Sequence, residues 1–376
     1  MRSLARGDTL KRKVLCCILL SVFMMTGCFD QTNVEDVSLT LLLGIDLDRN
    51  NNLLVYMSSP VFHKEAKVKE ETTGVKSVTI RNARAQFDAT VMALTSGSKT
   101  QVILVGKRLM KRKNWENYLD PFYRDPKNSV TTRVVAVDGP VSDLIFYHPK
   151  DKPRLPLYLT QLVDTAYLRN ITVKTTLQKL HEQIADKGIT ASITEMKKKN
   201  RIWVTGTALL DEKGRYKLTL KSDENKILRI LQQETKGEFP FTIPIKLKSD
   251  NQDKDWISFS AQNIKVKTKV RYDNHFIFNM DVKMRIGITE RLFSFNTRKD
   301  AAKLKKAIET KLEADFKQLI KKVQAAKIDP IGLGVYARTY TYPEWKKVQN
   351  KWNNELAKAD VNVKVNVEIG GMGTIK

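Results

Sequence analysis

The 376-residue chain reads as an α+β protein of mixed α/β pattern, and three observations predict that class. Strictly alternating segments such as IKVKTKVRY (264–272) and VNVKVNVEI (361–369) require half-buried strands, because successive strand side chains face opposite sides. From about residue 298 to 327, Leu304, Ile308, Leu312, Phe316, Leu319, Ile320 and Val323 share one face of a helix about 45 Å long. Between residues 37 and 220, β-branched runs alternate with helical stripes. The length is ample for two or three domains.

The amino-terminal segment is expected to be removed. Arg2, Arg6, Lys11, Arg12 and Lys13 precede an apolar run from Val14 to Met25, and the small pair Thr26-Gly27 follows. This is the grammar of an export signal, and the run is shorter than the roughly 20 residues a spanning helix needs. Met25-Thr26-Gly27-Cys28 resembles the bacterial lipoprotein signal, with Met25 where leucine is more usual. That resemblance implies cleavage after residue 27 and a diacylglyceryl thioether plus an N-acyl chain on Cys28. Cys16 and Cys17 would leave with the signal and Cys28 would be consumed by lipid. The exported protein then has no disulfide, no thiolate metal site and no cysteine nucleophile, and ordinary apolar cores must hold it together. The formal charge is +25, and removing five basic residues and one acidic residue leaves about +21. An exported, tethered chain meets lipid headgroups rather than nucleic acid, so the charge reads either as contact with the membrane surface, the natural anionic partner, or as a solvated basic surface with no specific partner.

Residues 37–47 and 53–61 are apolar runs separated by Asp48, Arg49, Asn50, Asn51 and Asn52, the pattern of a hairpin. Residues 62–79 are charged, threonine-rich and without period, and read as a loop or edge strand. Ala83, Phe87, Val91 and Leu94 predict a helix over 81–94, and QVILVG (101–106) a buried strand. A short helix near 115–119, a strand at 131–137 and a helix opening at Pro140 follow. The prolines of HPKDKPRLP (148–156) mark a linker or extended crossing. Leu177, Leu180 and Ile184 place a helix within 173–185, with Gly188 as its C-cap. Residues 201–220 form a hairpin turning at 211–214, and an amphipathic helix follows at 224–231.

In 264–272, Ile264, Val266, Thr268, Val270 and Tyr272 share one face, while Lys265, Lys267, Lys269 and Arg271 share the other. This basic ladder reads first as lysine protection of an edge strand and second as a candidate electrostatic contact. Asp329-Pro330 stops the long helix. A second helix over 343–356, with Trp345, Val348, Trp352 and Leu356 on one face, leads into the valine strand 361–369, read as antiparallel.

No catalytic constellation emerges. His63, His148, His181 and His275 are scattered, and Ala185 stands where the second histidine of a zinc-protease motif opened by His181-Glu182 would be. Asp46, Asp48 and Asn50 open a calcium-loop spacing, but Asn51 and Met57 occupy the glycine and glutamate positions. Gly97-Ser98-Lys99-Thr100 lacks the upstream glycine of a phosphate loop and precedes a strand. Gly332-Leu333-Gly334 follows a helix and lacks the third glycine of a dinucleotide fingerprint. The sequence predicts no catalytic residue, no metal site and no cofactor.

Four stretches together resemble the Ger(x)C lipoproteins, the C subunits of nutrient germinant receptors in endospore-forming bacteria. They are GCFDQTNVEDVSLTLLLGIDLD, VILVGKRL with LDPFYRDPKNSVTTRVVAVDGPVSDLI, WVTGTALLDEKGRYKLTL, and the closing PEWKKVQNKWNNELAKADVNVKVNVEIGGMGTIK. The resemblance covers essentially the whole chain. It implies three domains, each a central, mostly antiparallel or mixed sheet with flanking helices. With a signal peptide at 1–27, the units would be 28–199, a middle domain 200–255 and a carboxy-terminal domain 256–376. It further implies a lipid anchor at Cys28, a place on the outer face of the spore inner membrane, and A and B membrane subunits as partners. The expected function is that of a non-enzymatic receptor subunit needed for assembly or signalling. A solute-binding lipoprotein of a transporter is the alternative, and a lipid-anchored hydrolase a third reading.

Overall fold

A computed structural model describes residues 14–15, 37–62, 65–91, 93–246, 255–293 and 297–371 of the chain. Most of its strands fall into two sheets, and the fold is mixed α+β as expected. The first sheet has eight strands: β2 (Leu42–Leu47), β3 (Leu53–Pro60), β4 (Glu70–Ser77), β6 (Val102–Gly106), β7 (Arg133–Val137), β8 (Ser192–Lys198), β9 (Ile202–Leu210) and β10 (Tyr216–Leu220). Their order is β10-β9-β8-β7-β6-β2-β3-β4. Strands β2, β6, β7 and β8 run parallel, while hairpins extend the sheet at both sides. A separate pair joins β1 (Val37–Leu39) to β5 (Leu94–Ser96).

Side-chain alternation splits this sheet between two apolar layers. One face packs Ile45, Val55, Ile103 and Ala136 against α1 (Ile80–Asp88), the 3-10 turn Trp115–Leu119 and other helical segments, including α2 (Lys107–Met110) and α3 (Asp120–Arg124). The other packs Leu42, Leu104 and Val135 against α4 (Val141–Ile145) and α5 (Leu155–Leu168). The helix α6 (Leu177–Ala185) adds Leu177 and Leu180 to the first layer.

Three local expectations need correction here. Helix α1 ends at Asp88 rather than 94: the Asp88 carboxylate accepts from the Thr95 N–H at 2.8 Å and so turns the chain into β5, where Leu94 is exposed. The proline-rich crossing ends at α5, in which Pro156 occupies the first turn, where a missing N–H costs nothing. Gly188 is not a C-cap. A Cβ there would sit 2.9 Å from the Gly334 carbonyl carbon and the Val335 nitrogen, so the glycine permits a backbone-to-backbone approach.

The second sheet has the order β11-β12-β13-β14, with β11 (Phe239–Ile245), β12 (Asp255–Asp273), β13 (His275–Arg291) and β14 (Asp360–Gly371). The helices α7 (Ser222–Leu231) and α8 (Thr297–Ala325) cover one face, with Phe276, Phe278, Val363 and Val365 meeting Ile308, Leu312 and Phe316 in one core. The valine strand corrects a further expectation, for β14 runs parallel to β13. The 29-residue α8 and the helical segments after it lie between them, a connection long enough for the crossover that a parallel pair requires. The expected helix over 343–356 is broken into α10 (Tyr342–Val348), the 3-10 turn Gln349–Lys351 and α11 (Trp352–Leu356), preceded by α9 (Leu333–Tyr340). The strands within 200–255 are divided: β9 and β10 complete the eight-stranded sheet, and β11 joins the second.

The two halves meet around Asp329, which is fully buried. Its carboxylate accepts hydrogen bonds from the N–H groups of Gly332 (2.8 Å), Leu333 (3.0 Å) and Gly334 (2.8 Å) and from Trp352 Nε1 (2.8 Å). Its backbone exchanges two bonds with Thr190, just before β8. Beside it, Arg338 donates twice to Asp186 at 2.9 Å. The two carboxyls are displaced in opposite directions. Burial pushes Asp329 up despite its four donors. Burial also works against Asp186, but the Arg338 hydrogen bonds and charge and the Gly188 N–H hold it below 3.8. A depressed folded value means stability present above the unfolded value and lost as pH falls through the folded one. The deficit in melting temperature of Asp186→Asn against the unsubstituted chain is therefore expected to be full at pH 6 and to shrink below about pH 4. A deficit that stays constant down to pH 3 would show that the pair contributes nothing through charge.

Candidate functional site

Cys28 lies outside the described residues. The basic ladder is where the alternation puts it: Lys265, Lys267, Lys269 and Arg271 are exposed on one face of β12, while Ile264, Val266 and Val270 pack toward the core. Pairing explains the lysines. Strand β11 covers β12 only from Asp255 to Ala261, so from Gln262 onward β12 has β13 as its neighbour and an open second edge among the described residues. Lysines on that edge oppose pairing with another strand. The far edge is blunted differently, because Glu309 and Glu313 of α8 accept from the Val367 and Val365 N–H groups at 2.9 and 3.1 Å.

The ladder is not a uniform positive field. Across the sheet Lys265 faces Lys283, but Lys267 faces Asp281, which in turn lies beside Lys364 and accepts from Asn366 Nδ2 at 2.7 Å. Arg271 is 3.6 Å from Asp273, and Glu368 pairs in register with Arg285.

A second basic surface was not read from the sequence. The β8–β9 hairpin turns through Lys199, Asn200 and Arg201, and Trp203 beyond the turn is 48% exposed. Arg201 stacks over the Trp203 ring at 4.3 Å, and Lys198 lies 5.4 Å from the Tyr147 ring on the opposite face. An open hollow of about 1010 Å³ beside the tip is lined by Lys197, Lys199, Arg201, Lys221 and Trp203, with no acidic residue among its lining. The signal available in sequence was the run KKKNR at the junction of two alternating segments.

Beneath this tip lies a charged cluster at the carboxyl ends of the parallel strands. Glu195 is 2% exposed, pairs with Lys107 Nζ at 3.1 Å, and accepts from Thr219 (2.6 Å) and Thr205 (3.1 Å). Asp138 bridges Lys107 (3.2 Å) and Lys197 (2.9 Å), and the Lys197 hydrogen bond chiefly holds its carboxyl below the usual range. Burial draws the Lys107 ammonium down, but the Tyr216 hydrogen bond and the Glu195 charge leave it raised. Every charge here has a partner, so the cluster is a fixed support beneath the tip.

The rejected motifs resolve into structure. Asp48 accepts from the Asn52 N–H and Nδ2 (2.8 and 2.7 Å) and so shapes the β2–β3 turn. Asp46 instead accepts from the Val141 N–H at 3.0 Å across the sheet, and a Cβ on Gly106 would lie 2.0 Å from its Oδ1. Gly332-Leu333-Gly334 is the donor loop around Asp329. Residues 97–100 form a turn in which Thr100 Oγ1 donates to the Thr40 carbonyl at 3.0 Å. That turn borders a cavity of about 260 Å³ with Met57, Phe87 and Phe122 in its wall and Arg81, Arg84 and Asp125 near its mouth. Among the described residues no group of three or more metal-ligating side chains converges, and no helix is long and apolar enough to cross a membrane.

Fold and surfaces define a mixed α+β protein whose notable features are exposed basic faces rather than a converging set of reactive groups. Two family profiles match: "Spore germination protein N-terminal domain" over residues 30–198 and "Spore germination B3/ GerAC like, C-terminal" over 205–373. The chain belongs to this Ger(x)C family of spore germination proteins. Relatives include spore germination protein KC of Bacillus subtilis (strain 168), 24% identical with 96% of each chain covered. Spore germination protein B3 of the same organism is also 24% identical, covering 93% of this chain and 95% of its own. The crystal structure of the GerBC protein superposes with a TM-score of 0.55 at 21% identity, over 87% of this chain and 96% of that one, which establishes a shared fold.

Proposed function

We propose that this chain is a lipid-anchored, non-enzymatic subunit of a spore nutrient germinant receptor, required for assembly or signalling of the complex during germination. The observation that carries the reading is the match of both halves of the chain to spore germination families, combined with the lipoprotein-type Met25-Thr26-Gly27-Cys28 ahead of them. In this reading acyl chains on Cys28 fix the protein to the outer face of the spore inner membrane, where two chains give stable attachment. The folded body then bridges A and B membrane subunits, with Lys265, Lys267, Lys269 and Arg271 as an electrostatic contact. No cofactor takes part.

The test is affinity recovery of the tagged chain from detergent-solubilised spore membranes beside a Cys28→Ala version, with mass spectrometry of the accompanying proteins. Polytopic proteins are expected with the unsubstituted chain, and Cys28→Ala is expected to be lost from the membrane fraction. Recovery of the chain alone would overturn the receptor reading. The cavity beside residues 97–100 is the one observation that favours a solute-binding lipoprotein instead. A thermal-shift screen with amino acids, sugars and nucleosides separates the two, since a ligand at 100 times its Kd would stabilise the chain by about 2.7 kcal/mol.

A further inference from the structure

We infer that the tip of the β8–β9 hairpin, with Lys199, Arg201, Lys221 and the exposed Trp203, docks the folded body onto the anionic headgroup layer of the membrane. The inference rests on the membrane-tethered reading above and adds the surface that faces the lipid.

Charge composition separates this surface from the ladder on β12. The ladder is interrupted by Asp281 on the neighbouring strand and ends at Asp273, and it carries no tryptophan. The hollow at the hairpin tip is lined by four cations and no carboxylate. Lys197 is committed to Asp138 at 2.9 Å, which leaves Lys199, Arg201 and Lys221 as its outward charges. Each such residue close to an anionic leaflet raises partition about fivefold, so three suffice to orient a body that acyl chains already hold nearby.

Trp203 fixes the kind of partner. An indole nearly half exposed at a hairpin tip, bordered by lysines and under a stacked guanidinium, has an apolar body and one N–H donor. Such a ring is favoured at the level of lipid headgroups, where one part meets acyl chain and the other meets water or phosphate. In its register Trp203 lies opposite Lys197, and Arg201 and Lys199 extend the same face outward. Ring and charges therefore advance together toward one plane.

The test uses residues 29–376, which keep every strand and helix of both sheets and cannot be acylated. Binding to phosphatidylcholine vesicles with and without phosphatidylglycerol is measured by co-sedimentation at low and high salt. Salt-sensitive binding to the anionic vesicles alone is expected. Lys199→Glu/Arg201→Glu is expected to weaken partition by more than tenfold, on the order of 5-fold per charge removed. Lys267→Glu/Lys269→Glu on β12 is expected to leave it within about twofold. In a Trp256→Phe background, brominated lipids should quench Trp203 emission, and Lys199→Ala/Arg201→Ala provides a milder variant with near-UV circular dichroism as the folding check.

No anionic-vesicle binding, equal binding to neutral vesicles, or equal loss from the β12 variant would each overturn the inference. So would capture by poly-glutamate without vesicle binding, which would assign the tip to an acidic protein partner. The arms are separable from the receptor test. Vesicle binding without co-recovered polytopic proteins removes the receptor reading alone, and the converse removes the hairpin inference alone.

Discussion

Asp329→Ala is expected to destabilise the chain by about 3–5 kcal/mol and to loosen the contact between its two sheets. The carboxylate serves four buried donors, and each donor left without an acceptor costs about 1–3 kcal/mol. Part of that loss is returned, because burial of the ionised group is itself unfavourable and raises its pKa. Asn is no rescue: its amide nitrogen would face either the Gly334 and Trp352 donors or the Gly332 and Leu333 donors. Urea titration followed by far-UV and by tryptophan signals measures the effect. Trp352 reports the joint directly, since its Nε1 bonds to Asp329. A midpoint shift corresponding to less than about 1 kcal/mol would show that water replaces the carboxylate and that the joint is not held there.

Lys107→Met is the second large effect, expected at about 2–4 kcal/mol at neutral pH. It leaves the Glu195 carboxylate, 2% exposed, with two threonine donors and no cation within its pocket. Breaking a buried pair from one side strands a desolvated charge, which is why the single change costs more than removing both partners. The double variant Lys107→Met/Glu195→Gln should therefore be less destabilised than Lys107→Met alone, and a double-mutant cycle tests this. The raised folded pKa of Lys107 gives the pH sign: its contribution is complete below the ordinary lysine value of 10.5 and is lost as pH rises through the folded value. Additive single and double variants would overturn the account.

Sequence reading succeeded where one residue period dominated. The alternation at 264–272 placed four basic side chains on the solvent face, and the stripe from Leu304 to Val323 lies buried on α8. It failed where long-range partners decide the outcome. The direction of β14 is set by its pairing with β13 across a long connection, which its own valines do not announce. The end of α1 is set by Asp88 reaching Thr95, and Gly188 is explained by Gly334, 146 positions away. The hairpin tip was legible only as a charge run, because nothing local announces that KKKNR ends a strand pair with Trp203 beside it. The expectation of a lipid anchor at Cys28 rests on signal grammar alone, and Cys28 lies outside the described residues.

The family boundary between residues 198 and 205 falls inside the hydrogen-bonded hairpin of β8 and β9. A chimaera that joined the first half of one relative to the second half of another at that point would splice two lineages across a single ladder. Lys197 would face a foreign residue in place of Trp203, and Glu195 would seek Thr205 and Thr219 in a strand that did not evolve with it. A crossover in the turn before β11 cuts no strand pair, so a chimaera joined there keeps the ladders of both sheets whole.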